Sequence, residues 1–517
     1  MTSTRVNETS VDADVVIVGA GMAGLYSAWR LLNEKPELRV HVVEMLPRTG
    51  GRLETDHVLV EGVSVKTEEG GMRFLDTQAE LVALLKELDL WKDRVRFPMG
   101  DGNNLFYLRG KRFTSGEAKK DPSHWSDLYA LNPEAVGKQP GEVLTALLHA
   151  VLEENGVDPG TWKPSPDDWT TLRMQYKWRG IPMYKWGFWA MLTDFGLSSD
   201  CIEMLYQSSG FIAPYDQEPN AGCALQLLVD FVHPEFYTLG PGYQTLPDTL
   251  AADITSRGAK IHLEHRVTAV DREGDGRLRV TATSPDGEAT FRGDTLILGL
   301  TQLALQKLSP FVGLFRNSEQ FMRDIESVTD MELGKVNLYY DKNWWTPAAG
   351  ITSGGSYTDL PMAQFYCFGG EGSAPNDGPA SITIYTDYIR TAYWAQLQAI
   401  GEPYIVPDGP SLPPYSIPAT TYVVEQATRQ MKEMFGLEDI PAPVVATYRR
   451  WGTPSQGDGD HQWRMGADDP AVRARLAHPF PNIHVCGESY SDDQAWVNGA
   501  LRSVDQMLGA HFDLPPL

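Results

Sequence analysis

Between residues 14 and 44 the chain runs through a β-branched stretch, a glycine triplet, a helical apolar stretch and a second strand ending on an acid. Few folds accept that order. Asp14-Val-Val-Ile-Val18 has the unbroken apolar character of a strand buried on both faces. Gly19-Ala-Gly21-Met22-Ala23-Gly24 follows at once, and Leu25 to Leu32 continues with helical spacing. Arg39 to Val43 reads as a second strand ending at Glu44, placed 20 residues after Gly24, with Glu44 and the following Met45 expected at the cofactor. Each glycine has its own reason. Gly19 permits a tight turn, Gly21 lets backbone approach a pyrophosphate, and Gly24 lets helix pack on strand. The helix opening at Met22 and Ala23 offers free N–H groups and a partial positive charge to phosphate. Glu44 can accept from both hydroxyls of a ribose. A glycine triplet alone occurs in turns that bind nothing; this context with its terminal acid points to a dinucleotide site.

The length of 517 residues allows two to four domains. With 44 Lys+Arg against 68 Asp+Glu, the net charge of −24 repels phosphate backbones and anionic lipid, so no nucleic-acid or membrane-surface partner is expected. Cys201, Cys223, Cys367 and Cys486 lie far apart, which gives neither a disulfide framework nor a zinc pattern, and no metal is expected. The apolar stretch Val15 to Leu32 is broken by glycines and Arg30, so it does not read as a membrane span. Met1 to Asp14 lacks the apolar core of a signal peptide, and a soluble, cytoplasmic protein is the expectation.

Pro47-Arg-Thr-Gly50-Gly51-Arg52-Leu53 supplies a second close backbone approach beside a guanidinium that can pair with phosphate, or with a surface acid. Together these stretches resemble the flavin amine oxidase superfamily. The resemblance implies FAD, with Gly51 and Arg52 in its site. Further along, Gly240 to Leu246 opens a helix to about Ser256, followed by strand-like runs at Lys260–Leu263, Arg266–Val270, Leu278–Ala282 and Thr295–Gly299. The resemblance places the backbone of Val267 at the adenine. Asn482 to Glu488 is a strand ending in Gly487-Glu488, with Glu488 implied at the ribityl chain. Trp496, Val497 and Ala500 lead into an apolar-periodic helix whose N-terminus is implied to face the flavin N1/O2 edge. The region Gly452 to Trp463 has no cysteine to tether the flavin, so noncovalent FAD is expected; Cys486 reads as a small buried residue.

Glu68-Glu-Gly70-Gly71-Met72-Arg73-Phe74 narrows the resemblance to the L-amino acid oxidase and tryptophan 2-monooxygenase-like branch. There Gly70, Gly71 and Met72 are implied against the flavin, and Arg73 grips the substrate carboxylate, a group its planar fork matches bidentately. The alternative is an Arg73 paired to Glu68 or Glu69. Tyr385 matches a tyrosine that hydrogen-bonds the same carboxylate, with Tyr388 as competitor. Lys335 matches the superfamily lysine that holds a water against flavin N5. Alternation puts Lys335, Asn337 and Tyr339 on one face, either buried or a solvent edge. Trp496, and behind it Trp463, are candidate aromatic walls around the amine, against the plainer reading of core packing.

The expected fold is α/β: a discontinuous Rossmann-like FAD-binding domain (1–75, 236–330 and 476–517), an α+β substrate-binding domain (76–112 and 331–475), and a helical insert (113–235) with aromatic-rich helical stretches at Tyr176 to Phe195. The implied reaction is oxidation of an L-amino acid by hydride transfer from Cα to flavin N5, then dioxygen uptake with release of hydrogen peroxide, ammonia and a 2-oxo acid. The alternatives are a decarboxylating 2-monooxygenase, an amine or polyamine oxidase, and a flavoprotein without oxidase activity. A homodimer is expected. The side chain is open: aromatic richness suits large apolar substrates, while Asp216, Glu218, Asp230 and Asp387 suit basic ones.

Overall fold

The computed structural model describes residues 9–216, 218–231, 235–369, 377–453 and 457–517. Its centre is a five-stranded parallel sheet in the order Lys260–His262, Val40–Val43, Val15–Val18, Thr295–Leu298, Ile483–Val485. Alternation divides these strands between two cores. Val15, Ile17, Val40 and Val42 pack on the helices Met22–Glu34, Thr245–Ser256 and Val497–Phe512. Val16, Val18, Leu296 and Leu298 pack on a four-stranded sheet through Val280 and Phe291. That sheet runs Thr9–Asp12, Gly287–Gly293, Leu278–Ser284, Arg266–Arg272. Its strands Thr9–Asp12 and Gly287–Gly293 were not anticipated from the sequence.

A second, seven-stranded sheet runs Val445–Trp451, Leu333–Tyr340, Ala380–Asp387, Gln364–Gly369, Gly354–Thr358, Leu105–Leu108, Lys111–Thr114. The strand Leu333–Tyr340 is interior to it. Val336, Leu338 and Tyr340 face the helices Tyr388–Ile400 and Thr421–Phe435, while Lys335, Asn337 and Tyr339 face the other way and are also buried. The solvent-edge alternative for Lys335 therefore does not hold.

The helical insert gathers Pro140–Glu154, Pro166–Met174, Phe188–Asp194, Ser199–Ser209 and Ala221–Asp230 around one apolar cluster. It begins after 114, because Lys111–Thr114 completes the seven-stranded sheet. The expectation of helix across Tyr176 to Phe195 needs correction: Lys177–Trp178 and Ile181–Pro182 form a hairpin closed by Arg179 (φ 53°) and Gly180 (φ 76°). Two consecutive left-handed residues make the tight turn a two-residue hairpin requires, and Gly180 is the cue the aromatic pattern concealed. A buried ion pair at 3.0 Å, Arg173 to Asp469, ties the insert to the helix Asp469–Leu476. Among the described residues, no helix is long and apolar enough to cross a membrane.

Candidate active site

A cavity of about 620 Å³ opens at the carboxyl ends of the parallel strands, beside Val18, Val43 and Gly299. Several glycines around it leave no room for a side chain. A Cβ on Gly19 (φ +101°) would lie 2.6 Å from the Gly299 carbonyl oxygen, and one on Gly24 would lie 1.9 Å from that of Gly19. Gly51 is packed on Gly21, its Cβ position 3.1 Å from the Gly21 Cα. Gly19, Gly21, Met22 and Ala23 line the cavity at the helix start, and Gly24 sits behind them, joining helix to turn. Glu44, Met45, Gly51, Arg52, Gly70, Gly71 and Val267 line it further round, with Gly487, Glu488, Trp496, Val497 and Ala500 completing it. Met72 and Arg73 do not; they line a neighbouring cavity.

Glu44 is fixed by two backbone donors, the amides of Ala20 at 2.7 Å and Leu46 at 2.8 Å. Burial pushes its carboxyl up, and those amides oppose the shift. Each oxygen keeps a lone pair for a further donor. Arg52 donates to Glu488 and to the Gly459 carbonyl oxygen, each at 2.6 Å. Glu488 also accepts from His461 Nδ1 at 2.9 Å and from the Ala495 amide at 2.7 Å. Burial alone would raise the Glu488 carboxyl, but the charges of Arg52 and His461 hold it down at about 2. Burial alone would likewise lower the His461 imidazole, which Glu488 and Asp458 instead hold up at about 10. Asp330, Asp458 and His461 bring three ligand-type atoms together, but both ring nitrogens of His461 are already bonded to carboxylates. His461 is thus held in an ion network with Asp458 and Glu488, and Asp330 beside it accepts from the Gly459 amide at 3.2 Å.

The neighbouring cavity, about 540 Å³, reaches from Gly71 into the helical insert. Arg73 is buried in its wall, donating to the Tyr366 hydroxyl at 3.1 Å and to Met99 Sδ at 3.4 Å. Phe97, Phe231 and Phe236 surround the guanidinium at 5.4, 5.1 and 5.2 Å. No carboxylate among the described residues pairs with it. The alternative partners are engaged elsewhere: Glu68 with the Tyr243 amide and Thr55, Glu69 with Asn337 and Thr447. Tyr385 lines both cavities. Tyr388 is 37% exposed, opens the next helix and is bonded to Asp216, so it leaves the competition. Tyr366, the direct partner of Arg73, was not anticipated; its strand is regular enough to be read, but nothing in it marks that tyrosine.

Lys335 is buried and donates to the carbonyl oxygen of Glu68 at 2.7 Å, to that of Gly70, and to Met72 Sδ at 3.5 Å. Burial holds its ammonium down at about 8. Trp496 lines both cavities, stacks on Phe236 at 6.2 Å and donates through Nε1 to Asp230 at 3.0 Å. Trp463 lines neither; it is fully buried, donates to the Ser491 carbonyl oxygen and belongs to the core under the parallel sheet. The candidate side-chain acids are also engaged: Glu218 pairs with Arg464, Asp230 with Trp496, and Asp387 caps the amides of Ile212 and Ala213.

Comparison with known proteins matches residues 22–503 to the family model described as flavin containing amine oxidoreductase. Aplysianin-A of Aplysia kurodai is 25% identical across 96% of this chain and 90% of its own. An L-amino-acid oxidase of Bothrops moojeni is 25% identical across 69% of this chain and 65% of its own. The solved structure of putrescine oxidase bound to putrescine superposes with a TM-score of 0.67 at 17% identity, covering 98% of this chain and 100% of that one, a likeness of fold.

Proposed function

Because the chain belongs to the flavin-containing amine oxidoreductases, we propose that it oxidises L-α-amino acids with FAD and dioxygen, yielding a 2-oxo acid, ammonia and hydrogen peroxide. The residues fit the cofactor. A glycine-walled cradle accepts a pyrophosphate, the helix at Met22 has no side-chain cap on its first amides, and Glu44 has lone pairs for a ribose. FAD supplies a two-electron acceptor for the α-hydrogen and its electron pair, and dioxygen takes those electrons on. We read the FAD as held noncovalently, so acid precipitation leaves the yellow colour in the supernatant.

One observation carries the amino acid reading: a buried guanidinium with aromatic rings around it and, among the described residues, no carboxylate of its own, in a cavity that adjoins the cofactor's. A buried cation needs a counter-charge, and a substrate carboxylate supplies one. Arg73 fixes that carboxylate bidentately, Tyr385 offers it a hydroxyl, and the rings of Phe231, Phe236 and Trp496 exclude water around it. Lys335 holds the backbone of Glu68 and Gly70, and so places Arg73 relative to the cofactor cavity. The test is a peroxide-coupled panel on purified yellow protein. Turnover of L-amino acids, with 2-oxo acid as product, is expected; turnover confined to amines lacking a carboxylate would refute the reading, and amide with CO2 would identify the decarboxylating reaction.

A further inference from the structure

Arg73 matches only one end of a zwitterion. The other end, an ammonium, also leaves water on entering the site and also needs a partner. Among the described residues lining both cavities, Asp460 is the only carboxylate. It opens the strand Asp460–Trp463, opposite Met331 of Val328–Met331, and is half-buried. Its Oδ1 has no hydrogen-bond partner among the described residues. The cations near it are committed elsewhere: Arg52 to Glu488 and Gly459, His461 to Glu488 and Asp458, Lys335 to backbone carbonyls. Tyr385, which lines both cavities, feels the negative charge of Asp460 and the positive charge of Arg73 together. Among the described residues, one cavity thus holds a guanidinium with no carboxylate partner and a carboxyl group whose Oδ1 has no donor, with Tyr385 lining the same wall.

Resting on the amino acid reading above, we propose that Asp460 receives the α-ammonium of the substrate and takes one of its protons. The N–H bond breaks with its electron pair left on nitrogen, and an O–H bond forms on the carboxylate. An ammonium and a carboxylate become a neutral amine and a neutral acid, and the released lone pair assists departure of the α-hydrogen. The groups facing Asp460 tune it for this. Burial, Glu488 and Asp330 push its carboxyl well above the usual range, while His461 and Arg52 oppose them. A carboxylate so raised is a stronger proton acceptor than one on the surface. The α-nitrogen is preferred to a side-chain cation because Asp460 sits where the cofactor cavity begins, while Lys119 and Gln139 line the end within the helical insert.

The test uses two isosteric ligands with no Cα–H to lose: 2-aminoisobutyrate, a zwitterion, and pivalate, with methyl in place of ammonium. Both are titrated calorimetrically into the holoenzyme. Asp460→Asn is expected to weaken 2-aminoisobutyrate by about tenfold or more and leave pivalate within about twofold, the scale of one lost charge-assisted hydrogen bond. The kcat/KM deficit of the variant with L-norleucine should close as pH rises and the substrate arrives already neutral. Equal weakening of both ligands, a deficit that ignores pH, or a loss confined to substrates with cationic side chains overturns the proposal. If the variant does not fold, wild-type affinity for 2-aminoisobutyrate relative to pivalate must still rise with pH as Asp460 ionises; a flat ratio overturns it. Failure of the amino acid reading looks different: pivalate binding would be absent, or indifferent to Arg73→Met.

Discussion

Lys335 Nζ lies 2.7 Å from the carbonyl oxygen of Glu68, and the same ammonium reaches the carbonyl oxygen of Gly70. A residue on an interior strand thus pins the backbone that carries Gly71 and Arg73. Lys335→Met would take the ammonium from one buried carbonyl and one half-buried one, at about 1–3 kcal/mol for the buried one. A lower melting temperature and weaker retention of flavin are expected, read by circular dichroism and flavin fluorescence. A variant that melts like the wild type would remove the pinning role.

Arg73→Met deletes the cation and keeps much of the bulk. Loss of a bidentate, charge-assisted pair of about 3 kcal/mol lowers kcat/KM for L-amino acids on the order of 100-fold. Any trace turnover of amines without a carboxylate should survive. Steady-state kinetics on both substrate classes measures the contrast.

His461 gives a stability signature with pH. Its folded value of about 10 lies above the ordinary 6.5, so its contribution is complete below 6.5 and fades as pH rises through 10. Glu488, at about 2 against an ordinary 4.5, contributes above 4.5 and loses that contribution as pH falls through 2. His461→Gln should therefore be most destabilising between these ordinary values, at about 3 kcal/mol or more for a broken buried pair, with the gap to wild type narrowing toward pH 10. Thermal melts across that range test it.

Gly24→Ala puts a methyl 1.9 Å from the Gly19 carbonyl oxygen, and backbone must move. Destabilisation of several kcal/mol with loss of flavin is expected. Gly276→Ala, at φ +91° with nothing within 4 Å, should cost only about 1 kcal/mol and keep the cofactor.

The nucleotide cradle was legible because its contacts forbid anything but glycine at Gly19 and Gly24, and because the strand, helix and Glu44 follow within one stretch of chain. The strand Leu333–Tyr340 was legible from alternation, though its burial was not: that depends on flanking strands 40 or more residues away in sequence. Thr9–Asp12 was invisible, since a short polar run becomes a strand only through Gly287–Gly293, which it pairs with Thr9 opposite Ala289. Asp460 was passed over in an acidic, glycine-broken segment, and only the meeting of two cavities distinguishes it from its neighbours. Tyr385 and Tyr388 looked alike until Tyr388 fell at the start of a helix with φ 52° and turned outward.

The strand Ile483–Val485 lies beside Thr295–Leu298, with nearly two hundred residues between them in sequence. At 5–20 residues per second, a ribosome needs roughly 10–40 s to travel from one to the other. Throughout that interval the nascent sheet presents the naked edge of Thr295–Leu298, and Glu488 has not yet been made to meet Arg52. The cofactor cavity, walled in part by Glu488, Trp496 and Ala500, is therefore completed only after the last of these residues has been made.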